Sequence, residues 1–326
     1  EPPEEQRMPS ASINIEDGAK LLARFYVGTQ RAVDAFSGGQ IDNLESTIDT
    51  SLNRLAHKLC LRLLARYEHI SEAEAIARHA VTDEACGQFI SLSKCEDYQF
   101  SHRNILEEMQ HIFRGTGGEN GTGMRGNAED YYSYQNSLLD QVLDKGLGIP
   151  ITLSVTYAAV VRRAVGVVLD PVGLPGHFVL ATPSSDDNAS RQRLFIDAFR
   201  GGEILSLDDV QHIVASYQIP WDDSFLRAVP YKDVWTRMVR NLRACHQRNT
   251  ILDLFNEDNP ARRAMGDHGF AGLLRRVPPQ ELTDLQYQHA MSLSIGMFMS
   301  SFIESLDIDS MVMIARPVFD RTICCR

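Results

Sequence analysis

No CxxC pair occurs among the cysteines Cys60, Cys86, Cys95, Cys245, Cys324 and Cys325, so the spacing of a thiolate metal site is missing. No metal and no cofactor is expected. There is also no unbroken apolar run of the ~18 residues that a membrane helix takes. The closest stretch, Ile295 to Ile303, is interrupted by Ser300 and Ser301. Lysine is confined to Lys20, Lys58, Lys94, Lys145 and Lys232, and positive charge as a whole is short, leaving a net charge of −11. An acidic chain repels phosphate backbones, which argues against nucleic acid as a partner. The pairs Arg262-Arg263 and Arg275-Arg276 read as solvated helix faces. The opening EPPEEQRMPS has no signal-peptide pattern. The expected compartment is therefore the cytoplasm or an organelle matrix, mitochondrial or plastid, rather than the secretory route, with reduced thiols. On that reading the sequons Asn120-Gly-Thr122 and Asn188-Ala-Ser190 are chance.

What is present suits a packed protein. Hydrophobic residues make up 44% of 326, enough for two domains of ~100–200 residues each. Residues 1–14, rich in Pro and Glu, read as a flexible tail. Helical periodicity follows in Leu21, Leu22, Phe25 and Tyr26, then in Ile48, Leu52, Leu55, Leu59 and Leu63. Ser71 with Glu74 reads as a capping box. Ile105, Leu106, Met109, Ile112 and Phe113 make a further stripe, so residues 15–113 are expected to form a helical layer. A Gly-rich loop is expected over 114–130. Its GTGMRG, Gly121 to Gly126, is a literal GxGxxG, but it follows a helix where a dinucleotide site needs a strand.

The core is expected over 131–215. A short helix carries Leu138, Leu139, Val142 and Leu143, and GLGIP leads into a run from Ile151 to Gly166 that is apolar on nearly all sides. That pattern predicts a buried helix, with Pro150 in the first turn where its missing N–H goes unnoticed. Three strand-like runs follow, Val167 to Val172, His177 to Thr182 and Arg193 to Phe199, with breaks short enough for an antiparallel meander. Ser206 then caps a helix, and an irregular stretch from Tyr217 to Pro230 ends the domain at residue 225. Residues 226–326 read as a helical region, with a strand candidate at Met311 to Val318.

Asn136-Ser137, Gly148-Ile149-Pro150, Leu153-Ser154 with Tyr157, Arg163, Pro175-Gly176-His177-Phe178, Ile196-Asp197 and Gly201-Gly202 carry a resemblance to the SirB-like transglutaminase-like family. Arg237-Met238 and Arg240-Asn241-Leu242 resemble the start of the tetratricopeptide-like tail of its bacterial members. The family also supplies a domain of a eukaryotic F-box-only protein. No F-box is read here, so an adaptor role in ubiquitination is not carried over. The implied fold is α+β, a transglutaminase-like (papain-like) core with a buried helix and a small antiparallel sheet, flanked by N-terminal helices and a helical C-terminal region.

In that wider fold a cysteine at the start of the buried helix attacks, a histidine on the second strand takes its proton, and a carboxylate on the third orients the histidine. The resemblance places His177 and Asp197 as the remnant dyad and Pro150 at the lost nucleophile position. Thr152 and Ser154 are weak substitute nucleophiles, better read as helix-satisfied hydroxyls. Cys95, in KCEDY, looks superficially like a transglutaminase cysteine but lies outside the buried helix. Asn136, Tyr157, His177 and Phe178 are the expected binding residues. Without a nucleophile the chain reads as a protein-binding or scaffold subunit, possible partner surfaces including Met291, Met297 and Met299. It would then belong to a larger assembly. The alternative is a hydrolase or acyl-transfer enzyme using His177 and Asp197 with an unusual nucleophile. Cys95 is expected to alkylate at the rate of an ordinary thiol under iodoacetamide; a selectively fast Cys95 would restore thiol chemistry to the chain.

Overall fold

The computed structural model describes residues 13–33, 43–79, 92, 100–115, 123–183, 193–255 and 295. Cys95 and the expected C-terminal strand at 311–318 lie outside them, as does most of the expected helical region after 255. Four helices come first: α1 Ile15–Val33, α2 Leu44–Glu68, α3 Glu72–His79 and α4 His102–Arg114. Helix α2 ends at His69 in a left-handed conformation (φ 55°). The next helix starts two residues on, because the Ser71 hydroxyl accepts from the Glu74 N–H at 3.2 Å while the Glu74 carboxylate accepts from the Ser71 N–H at 2.9 Å. Ser101 caps α4 in the same manner, accepting from the Asn104 N–H at 3.2 Å.

A two-residue strand β1, Arg125–Gly126, then pairs in parallel with β2, Leu147–Gly148. Between them lie a 3-10 turn, Tyr134–Ser137, and α5, Leu139–Lys145. The Gly-rich stretch is thus not loop throughout. Its last glycine lies in β1 beneath the Phe199 ring, where a Cβ would come within 2.3 Å of the ring. That packing role accounts for Gly126 without a nucleotide. Helix α6, Pro150–Val165, follows at once, and nearly all of its residues are buried. Fully burying each of Leu153, Val155, Val160 and Val161, all 0% exposed, contributes ~1.5–3 kcal/mol.

The sheet is the expected antiparallel meander, with one strand more than expected: β3 Asp170–Val172, β4 Val179–Ala181, β5 Phe195–Asp197 and β6 Glu203–Leu205. Each strand keeps only three residues of the longer runs the pattern suggests. Strand β6 escapes a reading by pattern because it is a short segment between a glycine pair and a helix cap. Gly201 (φ 69°) and Gly202 (φ 74°) turn the chain from β5 back into it. Alternation then separates two faces. Leu180 and Ile196 join the cluster around α6, while Val179, Ala181 and Phe195 join Val210 and Val214 of α7, Leu207–Ser216, on the other face. Helix α7 begins at the expected cap, a capping box between Ser206 and Asp209.

The last described long helix, α8 Tyr231–Phe255, starts just after the expected domain boundary. Its Val234, Trp235, Met238, Val239 and Leu242 lie in the same hydrophobic cluster as α1, α2, α4 and α6. The Trp235 indole donates to the Ile15 carbonyl at 2.7 Å and covers Gly18 of α1. Below it the Glu16 carboxylate, 1% exposed, bonds Arg162 and lies 3.2 Å from the Arg163 guanidinium at the C-terminal end of α6. Arg163 goes on to Asp49 at 2.6 Å and Asn53 at 2.7 Å on α2. One buried carboxylate therefore joins α1, α2 and α6. Among the described residues no helix is long and apolar enough to cross a membrane.

The contact between α1 and α8 generates a paired test. A Cβ on Gly18 would fall 2.3 Å from the Trp235 ring, which its hydrogen bond holds in place, whereas nothing lies within 4 Å of one on Gly28. Gly18→Ala is expected to lower stability by ~1–3 kcal/mol through overpacking, despite its better helix propensity. Gly28→Ala is expected to raise it by up to ~1 kcal/mol. Denaturant midpoints of the two variants check this, and equal effects would remove the close α1–α8 packing.

Candidate functional site

The turn after β5 builds the site. Asp197, 0% exposed, sends Oδ1 to the backbone N–H groups of Phe199 (3.0 Å) and Arg200 (3.3 Å), opening the 3-10 turn Ala198–Arg200. With Oδ1 so fixed, Oδ2 faces His177 Nε2 at 2.9 Å. A carboxylate accepts, which assigns the ring proton of His177 to Nε2 and leaves the lone pair on Nδ1. Arg200 Nε stands 3.6 Å from the same Oδ2. His177 and Asp197 are thus brought together by the pairing of β4 with β5, two residues before and at the end of the respective strands.

The backbone around His177 is gripped on two sides. Gly176 before it has φ 70° and lies under the Tyr217 ring, where a Cβ would come within 2.4 Å. The Tyr217 hydroxyl donates to the Gly176 carbonyl at 3.1 Å, and Arg237 Nη2 donates to the His177 carbonyl at 3.4 Å. The His177 ring meets Phe199 edge-on, centroids 6.3 Å apart.

A cavity of about 440 Å³ opens at His177. Phe199 and the strand residues Glu203, Ile204 and Leu205 line one side, and Tyr217 with one face of α7 lines the other. The α7 residues involved, Asp209, His212, Ile213 and Ser216, follow the i, i+3, i+4, i+7 spacing of a single helix face. Val210 and Val214 on the opposite face hold α7 to the sheet. The cavity is mixed in character: Phe199, Ile204, Leu205 and Ile213 are apolar, whereas Arg200, Glu203, Asp209 and His212 bring charge and hydrogen-bonding groups beside His177.

The other candidate residues are less open. Pro150 is buried at the first position of α6 and offers no nucleophile. A chain of contacts links that helix start to the dyad: β2 precedes it, β1 pairs with β2, and Gly126 of β1 packs under Phe199. Thr152 and Ser154 are 0% exposed, and their hydroxyl oxygens have no hydrogen-bond partner. The expected back-bonding to the helix is made instead by Thr156, to the Thr152 carbonyl at 3.0 Å. Neither Thr152 nor Ser154 lines the cavity. Asn136 is buried; its amide N–H groups donate to the carbonyls of Asp130 (2.6 Å) and Tyr131 (3.2 Å), and its Oδ1 accepts from Asn127 Nδ2 (3.2 Å). It shapes the loop before α5. Tyr157 is fully enclosed, its hydroxyl donating to the Leu106 carbonyl at 3.3 Å, and burial pushes that phenol far up. Phe178 is buried beneath the Arg237 guanidinium.

The described thiols do not replace the missing nucleophile. Cys60 is buried against the Ala164 carbonyl, and burial pushes the Cys245 thiol up to about 11. Among the described residues no three His, Cys, Asp or Glu side chains converge as a metal site. Sequence reasoning overlooked Tyr217, Phe199 and Arg237 as neighbours of His177. Tyr217 and Arg237 lie 40 and more residues from it in sequence and meet it only through folding, so no local spacing marks them.

The sequence pattern of the transglutaminase-like superfamily matches residues 48–240, which include most of α2, all of α6, the whole four-stranded sheet and the start of α8. A UPF0162 protein of Xylella fastidiosa (strain 9a5c) is 34% identical over 137 residues, covering 40% of this chain and 47% of that protein. F-box only protein 21 of Mus musculus is 33% identical over 130 residues, covering 39% of this chain and 20% of that one, and the Homo sapiens protein is 32% identical over the same length. The chain therefore spans about half the length of the bacterial relative and a fifth of the mammalian ones. No solved structure matches. With the family pattern covering more than half of its residues, the chain belongs to the transglutaminase-like superfamily.

Proposed function

We propose that this chain is a non-catalytic transglutaminase-like protein of the SirB type, a protein-binding or scaffold subunit that receives a peptide segment of its partner in the cavity at His177. The observation that carries this reading is Pro150, buried at the first position of α6, the position to which the resemblance assigns the lost cysteine. The thiols of Cys60 and Cys245 are buried, and the hydroxyls of Thr152 and Ser154 are enclosed away from the cavity, which supports the same reading. Relatives named F-box only protein 21 support a role in protein interaction. A tetratricopeptide-like continuation beyond α8 would add a second binding face.

One observation favours a second reading, a hydrolase or acyl-transfer enzyme. His177 Nε2 is held by Asp197, and Nδ1 has no partner, so the ring is oriented as a general base would be, with water as the remaining nucleophile. His177→Ala separates the two. The binding reading predicts weaker partner binding or lower stability and no turnover to lose. The enzymatic reading predicts lost turnover of acyl substrates with binding retained.

Native mass of the protein purified from its own source gives a second check. A defined assembly with co-purifying chains is expected. Migration as a single chain, together with His177-dependent hydrolysis, would end the scaffold reading.

A further inference from the structure

Arg237 is a half-buried cation without a carboxylate. It rises from α8, lays its guanidinium over the Phe178 ring 5.3 Å from the centroid, and gives one hydrogen bond, from Nη2 to the His177 carbonyl at 3.4 Å. Several other part-buried arginines are matched, Arg62 and Arg66 to Glu108, Arg162 and Arg163 to Glu16, Arg193 to Asp170, whereas Arg243 on the same helix also has no carboxylate partner among the described residues. Among the described residues no acid stands within salt-bridge distance of Arg237. Burial presses its pKa down, and the nearby Tyr131 phenol works only weakly against that. A desolvated guanidinium gains when an anion meets its remaining donors.

No Arg237 nitrogen is among the buried side-chain atoms that lack a partner, so the N–H groups not used on His177 are not sealed off from solvent. The backbone makes room for them, since a Cβ on Gly173 would come within 2.5 Å of Nη1. Two exposed tyrosines belong to the same region, Tyr131 (36%) and Tyr217 (47%), the latter bonding the Gly176 carbonyl next to the His177 carbonyl that Arg237 holds. The Tyr131 phenol feels the charges of both Tyr217 and Arg237, and its ring lies 6.3 Å from Phe199 of the cavity. Tyrosine at the rim and arginine with open donors are the residue types that anchor protein partners.

We infer that Arg237 binds the carboxylate of an Asp or Glu side chain in the peptide segment that docks at the His177 cavity. This rests on the docking reading above and gives the partner a chemistry. The planar fork of arginine fits a carboxylate through two parallel bonds. A polyanion such as nucleic acid fits poorly, because the chain around this one cation has a net charge of −11.

Selection from a library of short random peptides, displayed internally so that no free carboxyl terminus is offered, tests the inference. The wild-type protein is expected to enrich Asp or Glu at a fixed spacing from an apolar residue. The best such peptide should bind Arg237→Gln about tenfold or more weakly. Arg237→Glu should shift the preference at that position to Lys or Arg. Should Arg237→Gln fail to fold in a thermal melt, the wild-type enrichment and a loss of affinity with rising salt still decide. Enriched peptides without an acidic position, or equal affinity of a folded Arg237→Gln, overturn the carboxylate subsite and leave docking intact. No enrichment by the wild type overturns both.

Discussion

A helix that is apolar on every face has to be enclosed, and α6 sets the plan of this protein through that requirement. Ile151, Leu153, Val155, Tyr157, Val160 and Val161 point in all directions around its axis and are at most 3% exposed. A sheet can cover one side of such a helix and helices must cover the rest. The sheet contributes Leu180 and Ile196, and α1, α2, α4, α5 and α8 close the other sides within one hydrophobic cluster. The N-terminal helices and the α/β elements are therefore not layers that meet late. Each leaves water-exposed apolar surface without the other.

Enclosure creates a second problem at the helix end. The last turn of α6 has carbonyl groups without intrahelical partners, and Arg162 and Arg163 sit there, favourable for the helix dipole. Two cations at a buried surface need an anion, and Glu16 supplies it from α1, with Asp49 extending the network to α2. Removing the carboxylate would leave two partly buried guanidinium groups facing each other, and breaking a buried pair costs on the order of 3 kcal/mol. Trp235 seals the same region from α8 through the Ile15 carbonyl one residue before Glu16. The charged network and the aromatic lid thus fix the relative positions of the helices that a purely apolar core would leave free to slide.

Much of this was legible in the sequence wherever a physical requirement is local. The all-round apolar run marks α6, Pro150 marks its start, and the two Ser-x-x-acid patterns at Ser71 and Ser206 mark helix starts that their hydrogen bonds bear out. The alternating runs and short breaks marked three strands and their antiparallel order. What stayed hidden is non-local. Strand β6 has no long alternating pattern and exists because Gly201 and Gly202 turn it against β5. The pairing of β1 with β2 turns part of an apparent glycine loop into structure, and it is visible only once Phe199 is seen over Gly126. Tyr217 and Arg237 reach the His177 backbone from α7 and α8, which no spacing could announce. Asn136 and Tyr157, expected to bind, are buried and committed to carbonyl groups of the chain itself. They stand out in the sequence because folding needs them.

The same distinction bears on what the His177–Asp197 pair means. Asp197 has a structural duty of its own: its Oδ1 holds two N–H groups of the 198–200 turn, and that turn leads through the glycine pair into β6. An aspartate here would persist in a protein with no chemistry at all, so its presence does not argue for catalysis. His177 is different. Its backbone is held by Tyr217 and Arg237 whatever the side chain, and its ring makes one hydrogen bond, to Asp197, while the residue lines the cavity. A nitrogen oriented by a carboxylate but facing no nucleophile can still accept a hydrogen bond from an amide, hydroxyl or ammonium group of a bound chain. Near it the Arg237 guanidinium lies over Phe178 with no acid at salt-bridge distance among the described residues, and Pro150 at the start of α6 offers no side-chain nucleophile, so any turnover here would have to use water.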